Sequence, residues 1–138
     1  MVQWKAMDLG ALIVRIVLGI TFFLHGLVKF QGGIQNTAAF FEKVGLPGML
    51  ATVVGGIELI GGICMILGLG VRVFGALFSV IMLGVILTVK SSKGLIGGFE
   101  LELALFAMSL QLLISGNGLF SIDGWFRSRS RTTESSQA

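Results

Sequence analysis

The chain has 138 residues, 54% of them hydrophobic and 12% charged, with a mean hydropathy of +0.95. A soluble domain devotes about a quarter of its residues to charge, so a water-soluble globule is excluded and a bilayer must cover the apolar surplus. The formal net charge is +3, and Cys64 has no second thiol in the chain, which excludes a disulfide framework and an intrachain dithiol relay.

The first apolar stretch, residues 9–30, would rise ~33 Å as a helix, enough to cross a ~30 Å hydrocarbon layer. It carries Arg15, His25 and Lys29 and is not followed by a small-x-small site, so it reads as a span and not as a signal peptide. Hydropathy drops over residues 31–48, where Asn36 or Thr37 is expected to cap a short interfacial helix. Phe40, Phe41 and Val44 would face one way on that helix, and Glu42 and Lys43 the other. The second and third spans cover about residues 49–69 and 71–89. The Gly68-Leu69-Gly70 link makes them an antiparallel hairpin with Arg72 at the membrane surface. A polar, Gly-rich loop is expected over residues 90–98, and the fourth span over residues 99–115. The fold class is therefore all-α, an integral membrane four-helix bundle in a single domain over residues 1–126, followed by a basic, Ser-rich tail expected to be disordered.

An even number of spans places both termini on one side. Lys5, Arg72, Arg127, Arg129 and Arg131 flank that side, and Lys29, Lys43, Lys90 and Lys93 the other, which favours cytoplasmic termini. Trp4 and Trp125 would share one interfacial belt. The arginine tail fits an anchor on anionic lipid better than a nucleic-acid arm, since no folded basic face accompanies it.

Charge inside a span needs a partner or a purpose. Arg15, Gly19, Phe22, Gly26 and Lys29 form one continuous helical stripe that should face the bundle, with His25 at its edge. Glu58 lies mid-span between glycine pairs, and Arg15 is its expected partner, either as a structural ion pair fixing register or as a pair that contacts ligand or handles protons. Glu100 begins a stripe through Ala104, Ala107 and Gln111, and is expected to join His25 and Lys29 in an outer cluster, with Glu102 facing solvent. Lys29 has the alternative of snorkelling to the surface, and Cys64 that of a small packing residue. One histidine and no ligand spacing argue against a metal or a bis-His haem. No Gly-rich phosphate loop or nucleophile elbow is present.

Arg15 followed by Gly19, the His25-Gly26-x-x-Lys29 run, Gly45-Leu46-Pro47 and Glu58 with Gly61-Gly62 recur in known order with Gly68-Leu69-x-x-Arg72, Gly98-Phe99-Glu100-Leu101 and Gly116-x-Gly118-x-x-Ser121-x-Asp123. Together they resemble the bacterial DoxX family over about residues 8–126. The resemblance implies a multi-pass bacterial inner-membrane protein linked to quinone, thiol or sulfur redox metabolism. Its polar set would be Arg15, His25, Lys29, Glu58, Arg72, Glu100 and Asp123. On this reading the bundle binds a quinone or small phenolic. His25, Glu58 and Glu100 would handle protons, Arg15, Lys29 and Gln111 would contact the ligand, and Arg72 and Asp123 would serve structure or an interface. Electrons would come from a redox partner protein or a bound flavin or haem. Competing readings are a non-catalytic scaffold that docks redox proteins, and a small carrier of phenolic or weak-acid compounds. A second copy of the chain is a further candidate partner.

Overall fold

The computed structural model describes residues 2–116 and 121–137, so Asn117 and Gly118 of the last motif lie outside the described residues, as does the side chain of Trp4. The described residues form α1 (Val2–Gln31), α2 (Ile34–Lys43), α3 (Met49–Leu67), α4 (Val71–Val85), α5 (Glu100–Ser115) and α6 (Ile122–Gln137). A π-helical turn, Ile86–Lys90, prolongs α4. Among the described residues four segments are long and apolar enough to cross a membrane: Ala6–Gln31, Met49–Leu67, Val71–Lys90 and Leu95–Ser115. The architecture is an all-α membrane bundle.

Lipid offers no hydrophobic force to press helices together, so close van der Waals approach at small residues must do it. α1 and α3 pack most extensively, along a glycine seam. A Cβ on Gly19 would lie 2.8 Å from the Gly62 carbonyl oxygen, one on Gly62 2.6 Å from the Phe23 nitrogen, and one on Gly26 2.7 Å from the Leu59 nitrogen. The backbones therefore touch, and the seam fixes an antiparallel register in which Gly19 meets Gly62 and Gly26 meets Leu59. α4 and α5 form the second close pair, with Gly75 against the Ser109 carbonyl. Their buried hydroxyls, Ser79 and Ser109, donate to the carbonyls of Gly75 and Leu105 four residues back, so neither is left unsatisfied. Between the pairs, Phe22 of α1 stacks on Phe78 of α4 with ring centroids 3.9 Å apart, at the centre of a core that includes Leu18, Met65 and Leu112.

The interfacial α2 is present, but neither Asn36 nor Thr37 caps it. Gly33, at φ 88°, holds the cap position, and the Asn36 amide instead donates backward to the Gly32 carbonyl at 2.8 Å. Only glycine takes that left-handed turn cheaply, so the backbone and not a side chain reverses the chain out of α1. The expected loop over residues 90–98 is a string of short helical turns, Ser91–Lys93 and Leu95–Phe99, broken at Ile96 and Gly97. The tail expected to be disordered is helical as α6, where Arg129 lies 4.8 Å above the Trp125 ring and Ser and Thr hydroxyls donate to helix carbonyls one turn back.

Candidate functional site

The antiparallel register decides which charges meet. Lys29 Nζ of α1 lies 2.5 Å from Glu58 Oε2 of α3, with the Glu58 side chain only 2% exposed. A second pair, Lys90 Nζ to Glu102 Oε1 at 2.6 Å, joins the end of the third span to α5. All four side chains border one cavity of about 460 Å³, lined also by His25, Phe22 and Phe78's neighbours Ile81 and Met82, with Phe40 and Phe41 of α2 across one end. Most of its wall is apolar, and the two ion pairs leave its charged groups balanced in sign.

The remaining polar atoms on this wall have defined hydrogen-bonding capacity. His25 Nδ1 lies 2.7 Å from the Thr21 carbonyl oxygen. A carbonyl only accepts, so Nδ1 carries a proton and Nε2 is left for the cavity. Glu102 Oε2 is buried and has no hydrogen-bond partner among the described residues. An unsatisfied buried carboxylate oxygen costs of order 1–3 kcal/mol or more, the kind of debt that a ligand donor relieves.

Several sequence expectations need correction. Arg15 does not reach Glu58: the seam sets it opposite the far end of α3, where its Nη1 lies 2.8 Å from the point a Cβ on Gly68 would occupy. Gly68 is ten residues beyond Glu58, about 15 Å along a helix, more than an arginine side chain spans. Glu58 has Lys29 instead, so Lys29 is held inside and does not snorkel. Glu100 stands apart from His25 and Lys29: it is exposed, and its Oε1 accepts from the Gly97 nitrogen at 3.3 Å beside the Gly-rich turn. Glu102, expected in solvent, takes the inner position. A helix turns about 200° in two residues, so only one of these carboxylates can face the bundle. Gln111 follows Glu100 outward, its amide donating to the Ser115 hydroxyl at 3.0 Å. The inward stripe of α5 is Glu102, Leu105, Ser109 and Leu112.

Arg15, Arg72 and Asp123 gather at the opposite end of the bundle. The α3–α4 turn uses left-handed Gly68 (φ 73°) and Gly70 (φ 60°). Asp123 Oδ2 accepts from the Gly70 nitrogen at 2.7 Å, and the Asp123 nitrogen donates to the Gly68 carbonyl at 3.2 Å. A carboxylate at the amino end of α4 satisfies a free N–H and the helix dipole together. Arg15 is 1% exposed and lies in the field of Asp123. Arg72 packs against Gly116, at the carboxyl end of α5. This end is a clamp, in which side chains lock onto backbone.

Chemically, the cavity end is mostly apolar with room for a small molecule, and it presents lysine, carboxylate and imidazole groups at its wall. No cluster of three His, Cys, Asp or Glu side chains forms among the described residues, so no ready ligand set for a metal is built there.

Comparison with known proteins agrees with the bundle. The chain is 40% identical to "Putative oxidoreductase CatD" of Bacillus subtilis over 119 residues, 86% of this chain and 88% of that one. It is 28% identical over 125 residues to an uncharacterized membrane protein of Mycobacterium tuberculosis, covering 80% of this chain and 77% of that protein. No solved structure matches it significantly. The DoxX family profile matches residues 10–91. With that profile over more than half its length and a 40% identical relative along most of the remainder, the chain belongs to the DoxX family.

Proposed function

We propose that the cavity binds a neutral ring compound of the quinone or phenol class, and that the protein serves an oxidoreductase reaction in the membrane. The observation that carries this reading is the convergence of two lysine–carboxylate pairs from four helical segments on one apolar cavity. A pair that only fixes register needs no open volume beside it, whereas both of these border a cavity with room for a guest. Balanced charge disfavours a bare anion or cation, while the lysines donate to ring oxygens and Glu102 Oε2 accepts from a ring hydroxyl. His25, Glu58 and Glu102 supply or take protons. With no dithiol in the chain, electrons would enter from a redox partner protein or from a bound flavin or haem. The name of CatD supports the redox part of the reading. Glu100 and Gln111 have no place in the site.

The same reading sets both termini on the cytoplasmic face of a bacterial inner membrane. Two of the four lysines at the cavity end are held in pairs within the bundle, whereas Arg127, Arg129 and Arg131 of the other end lie exposed on α6. The test is purification in mild detergent, followed by absorbance and mass analysis of extracted small molecules and titration with a benzoquinone and its hydroquinone. A co-purifying ring compound, or saturable binding lost in Glu58→Gln, is expected. An empty protein that binds neither form overturns the proposal.

A further inference from the structure

We infer that the cavity opens sideways into the bilayer through a gap between α3 and α4, and that Gly84 keeps this gap open for lipid-dissolved guests. Near the hairpin the two helices are in contact: a Cβ on Gly61 would lie 2.7 Å from both Phe74 and Phe78. Beyond these rings Ile81 lies on the same flank of α4, Gly84 about a quarter-turn toward its outer side, and Thr88 follows in the π-helical turn. All three of these border the cavity, yet Gly84 and Thr88 are exposed. Continuing the antiparallel register from Gly61 brings Gly84 level with Val54 and Thr88 level with Leu50, which line the cavity from α3. At the outer rim of this interface, a Cβ on Gly84 has nothing within 4 Å. The interface, closed near the turn, therefore leaves an opening farther along.

That opening faces hydrocarbon. Val80, which also lines the cavity, is 70% exposed at the middle of the span Val71–Lys90, where an exposed side chain meets acyl chains. The Thr88 hydroxyl donates to the Gly84 carbonyl at 2.6 Å and so needs no water at the rim. On the aqueous side, α2 lies across the cavity with Thr37, Phe40 and Phe41, and Leu46 borders it from the turn that follows. The expected guest is a neutral ring with an apolar substituent that partitions into the membrane, its ring at the ion pairs and its substituent in the gap. The inference rests on the proposed ligand class for what is admitted, though not for the opening itself.

The test uses the full chain in bilayers with Trp4→Phe and Trp125→Phe, and a reporter introduced as Phe22→Trp or, should that variant not fold, Leu105→Trp. Brominated acyl chains are expected to quench the reporter, water-soluble acrylamide to leave it bright, and Gly84→Leu to abolish the bromolipid quenching without unfolding the protein. In parallel, Gly84→Leu should weaken binding of a prenylated benzoquinone by about tenfold, the consequence of filling a snug passage. Acrylamide quenching without bromolipid quenching, a reporter that neither quencher reaches, or bromolipid quenching unchanged by Gly84→Leu overturns the portal. If bromolipid reaches the reporter but no quinone binds the unaltered protein, the ligand class fails while the portal stands.

Discussion

The two ends of this bundle use the same materials to opposite effect. At the hairpin end, Arg15, Asp123 and two left-handed glycines interlock, and the carboxylate bonds backbone directly. At the other end, Lys29–Glu58 and Lys90–Glu102 also tie segments together, but they border 460 Å³ of open volume and leave Glu102 Oε2 buried without a partner among the described residues. A buried charge that is fully enclosed by backbone and packing reads as architecture. One that borders a void with bonding capacity to spare reads as a receptor.

Variants can break that contrast. The largest effect is expected for Gly68→Ala, where at φ 73° a Cβ would run into that of Ser121. Left-handed strain and overpacking together should remove about 3 kcal/mol or more, seen as loss of a monodisperse peak in detergent chromatography. Glu58→Gln comes next, because an uncompensated Lys29 remains in the bundle; thermal melts should report about 3 kcal/mol of destabilisation. Adding Lys29→Met should return most of the stability without returning ligand binding. Full binding in that double variant would make the pair architectural after all and erase the difference between the ends. Asp123→Asn weakens the cap on α4 and should cost about 1–2 kcal/mol in the same melts. Its ligand affinity should stay within about twofold, a change of only ~0.4 kcal/mol. Smallest are Glu100→Gln and Gln111→Leu, expected within about 0.5 kcal/mol and with binding unchanged, since both side chains are exposed.

The inward stripe of α1 was legible because a single helix carries its own periodicity: Arg15, Gly19, Phe22 and Gly26 are all buried. The partner of Glu58 was not, because partnership across helices depends on register, and register here comes from backbone contact between Gly19 and Gly62 that no one-helix pattern contains. The choice of Glu100 over Glu102 failed for a related reason. Both residues begin periodic stripes, and a stripe read on one helix does not say which face its neighbours cover. Ser109 and Leu105 mark the covered face, and the need of Lys90 for a partner within lipid was the signal that pointed to Glu102. Four spans and the interfacial helix followed from hydropathy. The helical α6 did not, since polar composition hides the hydroxyl-to-carbonyl bonds along it.

The face-to-face stack of Phe22 on Phe78 has a bearing on traffic. It forms a plug beneath the cavity, and beyond it Leu18, Met65 and Leu112 are buried without exposure all the way toward the clamp. The cavity is thus a blind pit. A molecule lodged there has no corridor to the opposite aqueous phase, and making one would mean prying apart backbones already in van der Waals contact. In this arrangement a guest would have to leave by the way it came.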